Sequence, residues 1–92
     1  MRKAILMLLL VFVSSSAMAM SCYEDIIRTI SPDGAVLIML SGAMYDVDEA
    51  DYIYSREWAA SNNVSICSVV GNVSEISNKD AGAQKISAKR IN

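Results

Sequence analysis

Short runs of apolar and β-branched residues, separated by turn formers, recur along the chain from about residue 25 onward. Residues 25–30 form the first run and residues 35–40 the second, with Ser-Pro-Asp-Gly at residues 31–34 between them. Proline at the second position of a turn and glycine at the fourth are typical of β-turns, so these runs predict a hairpin. The return run is apolar throughout, which favours a strand covered on both faces or wrapped into a small barrel.

A third strand is predicted at residues 43–47 after the break at residues 41–42. Side chains alternate between the two faces of a strand, so Tyr45 and Val47 should share one face. Met44 and Asp46 should share the other.

The periodicity changes at residues 48–63, where Asp48 is followed three residues later by Asp51. This arrangement is typical of an N-cap with an acidic first turn, and it predicts a short helix or a long ordered loop. Its buried face is expected to come from three side chains, Tyr52, Ile53 and Trp58.

Three further strands are predicted at residues 64–70, 73–76 and 84–91. The last run alternates lysines, such as Lys85 and Lys89, with smaller or apolar residues, which favours an exposed or edge strand. Five or six short strands predict a mainly β fold. A small SH3-like or OB-like barrel with one short helix or ordered loop fits this length better than a two-sheet sandwich.

The first 19 residues have the organisation of a secretory signal peptide. Arg2 and Lys3 precede an uncharged apolar run at residues 4–13, which is shorter than the roughly 20 residues that a bilayer span needs. Small residues around Ala19 predict cleavage after it, and hence an exported protein of the periplasm or the exterior. A buried apolar helix and a lipoprotein with Cys22 as the lipidated residue are the alternatives.

Cleavage changes the size and charge of the functional molecule. Of 92 residues, 73 remain as one small domain at residues 20–92, and loss of two basic residues leaves six basic and ten acidic side chains, a net charge of −4. An acidic domain is a poor candidate for binding nucleic acid or anionic lipid. No stable membrane anchor is expected after cleavage.

Two cysteines remain in the mature chain, Cys22 and Cys67. Export would place them where disulfides persist, so one structural bridge is predicted. The alternative is a reactive thiol, but the two cysteines do not form a C-x-x-C motif and the chain has no histidine to activate either.

The order of core and turn residues has a counterpart in a known group of proteins. The positions concerned are Ile27, Ile30, Asp33, Gly34, Gly42, Tyr45, Val47, Trp58 and Val64. In these positions the chain resembles small exported bacterial proteins that consist of a signal peptide and one short SH3-like barrel. The resemblance extends over nearly all of the mature chain and implies a fold rather than a function. The Cys22 to Cys67 bridge is an addition to that pattern.

The sequence offers little for catalysis. It lacks histidine, the commonest general base and metal ligand, and its four glycines are isolated rather than grouped in a phosphate-binding loop. We therefore expect neither an enzyme nor a cofactor. The carboxylates of Asp46, Asp48, Glu49 and Asp51 could offer ligands to calcium, but their spacing does not match an EF-hand, and a solvated helix start is the favoured interpretation.

Aromatic residues beside acidic ones are the remaining candidates for function. Trp58 and Tyr45 are expected in the core, whereas Tyr52, Tyr54, Asp48 and Asp51 are candidates for binding a partner. The leading hypothesis is a noncatalytic binding module whose partner is another envelope or secreted protein. The alternative is a proteinaceous inhibitor of a secreted hydrolase such as a lysozyme or a protease.

Overall fold

The computed structural model describes residues 21–92, so the predicted signal peptide and its cleavage site lie outside the described residues. A one-turn helix, α1, spans Tyr52–Ser55, and 3-10 turns span Glu49–Asp51 and Lys79–Ala81. The strands are β1 Cys22–Ile30, β2 Val36–Met39, β3 Met44–Val47, β4 Asn63–Val70, β5 Val73–Asn78 and β6 Gln84–Arg90. The mainly β class, the strand number and the short helix are as the sequence predicts.

The six strands close into an antiparallel barrel in the order β1-β2-β3-β6-β5-β4, with β4 returning to β1. The last strand is predicted to be an exposed or an edge strand, and the edge alternative is wrong, because β6 pairs with β3 on one side and with β5 on the other. Lys85 and Lys89 are exposed while Ile86 and Ala88 are buried. A barrel strand with one solvent-exposed face shows the same alternation as an edge strand, so the pattern alone does not distinguish the two kinds of strand.

Inward-facing side chains from all six strands form a single core. As predicted, Tyr45 and Val47 of β3 share one face; that face is buried, whereas Asp46 on the other face is exposed. The buried cluster consists of Ile27, Leu37, Met39, Ala43, Tyr45, Val47, Trp58, Val64, Ile66, Ile76, Ile86 and Ala88. Apolar residues on the inner side of each strand therefore hold the barrel together through the hydrophobic effect.

Strand β5 contributes polar residues to the interior and is longer than the predicted run at residues 73–76. Asn78 is fully buried; its Nδ2 donates to Asn62 Oδ1 at 2.9 Å, and its Oδ1 accepts from the backbone N–H of Asp80 at 2.9 Å. A buried amide is tolerated when its hydrogen bonds are made. Sequence patterning missed this position because asparagine at a strand end reads as a turn former.

Strand direction divides the connections between two ends of the barrel. Residues 31–35, 48–62 and 79–83 connect strands at one end, which we call the capped end. Residues 40–43 and 71–72 connect strands at the other, which we call the open end. The start of β1 and the end of β6 also lie at the open end.

The segment that contains α1 covers the capped end. Trp58 joins the core and its indole N–H donates to Gln84 Oε1 at 2.7 Å, while Tyr52 packs against the core from outside. Ile53, however, is 53% exposed, so its predicted burial is wrong. A single helical turn presents only one side to the barrel, and the residue next to Tyr52 points away from it.

The predicted disulfide is present. Cys22 and Cys67 lie opposite each other on β1 and β4, and the bond joins residues 45 positions apart. The bridge therefore fixes the first described strand to the middle of the chain. Within residues 21–92, no helix has the length and apolar composition that a membrane crossing requires.

Candidate partner-binding cleft

A concavity of about 490 Å³ lies on the outer wall of β3 and β6, beside the segment that leads into α1. We call it the acidic cleft. The polar side chains that line it are Asp46, Asp48, Glu49, Tyr52, Ser87 and Lys89. Three carboxylates thus share one depression with a tyrosine and a single lysine.

Hydrogen bonds to the backbone of β6 fix the position of the segment beside the cleft. The N–H of Asp48 donates to the carbonyl of Ser87 at 2.9 Å, and the N–H of Ser87 donates to Asp51 Oδ2 at 2.8 Å. Asp48 Oδ1 accepts from the N–H of Ala50 at 3.3 Å, which caps the 3-10 turn as the sequence predicts. The cleft is therefore formed by a strand and by a turn that hydrogen bonds hold in place.

The carboxylates create a negative potential around the phenol of Tyr52. Partial burial raises the pKa of Tyr52, and the nearby charges of Asp46, Asp33, Glu49 and Asp48 raise this pKa further. Both effects disfavour the tyrosinate, because it would lose hydration and add a like charge. Lys89 lies opposite Asp46 in the strand register and is the cation that lines this cleft. Acidic residues thus outnumber basic ones where a ligand would enter.

The structure brings together only part of the predicted partner-binding set. Asp48 and Tyr52 line the acidic cleft. Asp51 instead uses one carboxylate oxygen to accept the N–H of Ser87, and Tyr54, which is exposed, lies outside the lining. Lys89 was missed because it comes from a strand distant in sequence; its outward position in the alternation of β6 was the available signal.

A second, smaller concavity of about 220 Å³ lies at the open end of the barrel. Tyr23 and Tyr45 meet there with their phenol oxygens 2.5 Å apart, beside the side chain of Arg90. Tyr45 is only 1% exposed, and burial followed by its hydrogen bond with Tyr23 raises its pKa far above the ordinary value of 10.0. The Arg90 guanidinium acts in the opposite direction but is outweighed.

We expect the protein to lose stability in alkali because of Tyr45. A phenol whose pKa is raised in the folded state favours folding fully below its unfolded value of 10.0, and this contribution is lost as pH rises above it. Urea unfolding at a series of pH values should show a decline above pH 10.0 that is shallower in Tyr45→Phe. Parallel curves for the two proteins would contradict this assignment.

No protein-family model matches the sequence, and comparisons with curated proteins and with solved structures find no match either. Among the side chains that the structure describes, no group of three or more His, Cys, Asp or Glu residues lies together in a way that could hold a metal ion.

Proposed function

We propose that this protein is a noncatalytic binding module of the periplasm or the secreted space, and that it binds a cationic segment of another exported protein in the acidic cleft. The observation that carries the proposal is a concavity of about 490 Å³ that is lined by Asp46, Asp48, Glu49 and the half-buried Tyr52. A concave surface with an aromatic anchor and charges of one sign is a common form of recognition site.

The chemistry of the cleft suits an arginine or lysine side chain. The carboxylates accept charge-assisted hydrogen bonds, and the face of a tyrosine attracts a cation through its ring quadrupole. The net charge of −4 on residues 20–92 would also steer a basic partner toward the domain. Long-range attraction and short-range contacts therefore favour the same class of ligand.

Two further features support a noncatalytic, exported role. The chain has no histidine and both cysteines are held in the disulfide, so the usual nucleophile and base pairs have no candidates. A disulfide in so small a domain is typical of oxidising compartments, which agrees with the predicted signal peptide. The resemblance to small exported proteins with an SH3-like barrel supports export and the fold, and it carries no argument about activity.

Charge variants test the cleft directly. Asp46→Asn/Glu49→Gln should weaken binding of a short capped peptide with one central arginine by about tenfold, because charge-assisted hydrogen bonds are lost. The matched control is Glu24→Gln/Glu57→Gln, which removes two exposed carboxylates outside the cleft. Titration followed by backbone amide NMR shifts measures both affinities. Equal affinities in the two variants, or no binding by the wild-type protein, would count against the proposal.

A second candidate function, inhibition of a secreted hydrolase, is favoured by the tip of the β4–β5 hairpin. Val69 is 56% and Val70 68% exposed, and the tip follows closely after Cys67 of the disulfide. A rigid scaffold that presents an apolar loop loses little conformational entropy on binding. Assays of lysozymes and common proteases with the purified domain test this function, and any inhibition found should be abolished by Val70→Asp.

A further inference from the structure

We propose that the concavity at the open end of the barrel is a binding pocket for a carboxylate group. We call it the open-end pocket. It has a volume of about 220 Å³ and is lined by Tyr23, Tyr45, Ser68, Asn72, Ser74 and Arg90, together with Gly71. The acidic cleft lies on the outer wall and shares none of these residues, so the two sites can be tested independently.

The pair of Tyr23 and Tyr45 has two hydroxyl protons, and only one of them lies in the hydrogen bond between the two phenols. The phenol oxygens of Tyr23 and Tyr45 are 2.5 Å apart, and a single proton lies between them, whichever residue donates. Among residues 21–92, neither oxygen is hydrogen-bonded to an acceptor that would take the second proton. Tyr45 is buried whereas Tyr23 is 42% exposed at the pocket. When Tyr45 is the donor, the remaining O–H is that of Tyr23, and it is available to an acceptor that enters the pocket.

Arg90 adds a positive charge with unused donors. Its Nε donates to Asn92 Oδ1 at 3.2 Å, and no carboxylate of the described residues lies within ion-pair distance of it. Its backbone N–H donates to the carbonyl of Asn72 at 2.9 Å, so the end of β6 is fixed against the β4–β5 turn. A guanidinium has five N–H donors in a planar fork, and four of them belong to its two terminal nitrogens.

The composition of the pocket selects the class of ligand. Its lining contains no aspartate or glutamate, and it offers a guanidinium, a phenol and serine hydroxyls. One cation balances a monoanion, and the planar fork of arginine matches the two oxygens of a carboxylate. The apolar side chains of Val69 and Val70 are exposed at the same end of the barrel and suit an apolar stem. A carboxylate with a short aliphatic part fits these features best.

Binding can be measured with two carboxylates and their neutral analogues. The probes are pentanoate against pentanamide, and an acetylated Ala-Val peptide with a free C-terminus against its amidated form. We expect each free carboxylate, and neither amide, to shift the backbone NMR signals of Asn72 and Arg90. Binding of pentanoate alone would identify small acids as the source of the ligand, and binding of the free peptide alone would identify peptide C-termini.

Variants of two side chains on the same strand complete the test. Arg90→Gln should weaken carboxylate binding by at least about tenfold, since a charge-assisted pair is lost. Lys85→Gln removes an equal charge from β6 outside the pocket and should leave the affinity unchanged. Tyr23→Phe should weaken binding while keeping the ring. Equal shifts from the amides, no shift from either carboxylate, or equal losses in Arg90→Gln and Lys85→Gln would overturn the proposal.

Discussion

Replacing both bridge cysteines, as Cys22→Ser/Cys67→Ser, is expected to lower the free energy of unfolding by about 4 kcal/mol. The bond closes a loop between residues 45 positions apart, and this is the stabilisation that such a loop gives by restricting the unfolded chain. Small domains have total stabilities of only about 5 kcal/mol or little more. The variant should therefore unfold at much lower urea concentration, with a large unfolded fraction at moderate temperature.

The same loss should be produced chemically in the wild-type protein. Reduction with dithiothreitol should bring its unfolding midpoint close to that of the double variant, whereas the variant itself should not respond to the reductant. A reduced wild-type protein as stable as the oxidised one would show that the strand pairing of β1 with β4 suffices without the bond. The expected result would mean that the domain needs oxidising conditions to keep most of its stability.

Local sequence patterns predicted where the strands and the turn lie better than they predicted which strands pair with each other. The turn at residues 31–34 and the shared face of Tyr45 and Val47 follow from turn chemistry and alternation, which depend on neighbours in sequence. The error at β6 has a different origin: whether Lys85 and Lys89 lie on an edge strand or on the wall of a barrel depends on strands far away in the chain. Whether the sheet closes into a barrel depends on all six strands, so no local pattern predicts it.

The two candidate sites also differ in how far the sequence predicts them. Asp48 and Tyr52 stood out in sequence because they belong to one short segment with an acidic turn. The open-end pocket, by contrast, joins Tyr23 of β1, Tyr45 of β3 and Arg90 of β6. Each is unremarkable by itself, and only the antiparallel order of the strands brings their polar ends together.

Gly34→Ala is expected to lower the free energy of unfolding by about 3 kcal/mol. Gly34 has a φ of +83°, a region that costs a residue with a Cβ roughly 1–2 kcal/mol. A Cβ there would also lie 2.7 Å from the backbone N of Arg56 and 2.9 Å from the carbonyl oxygen of Tyr52. Overpacking of this kind typically adds about 1–3 kcal/mol. Urea unfolding monitored by Trp58 fluorescence measures the change at the capped end.

A second glycine separates the two causes. Gly82 also has positive φ, at +66°, but a Cβ there would meet nothing within 4 Å, so Gly82→Ala should cost only about 1 kcal/mol. Equal losses in the two variants would show that backbone conformation alone matters.

A double variant that includes Ser55 tests whether this side chain or the backbone of α1 obstructs a Cβ at position 34. Ser55 Oγ donates to the Gly34 carbonyl at 2.7 Å and would also lie 2.7 Å from the new Cβ. Adding Ser55→Ala to Gly34→Ala should recover little stability, because the backbone atoms of α1 and its C-cap still block the methyl group and the carbonyl loses its donor. Full recovery would instead make the serine the obstacle. The expected result means that the turn after β1 packs directly on the backbone of the segment that carries Tyr52. The same contact then stabilises both the β1–β2 hairpin and the position of Tyr52 in the acidic cleft.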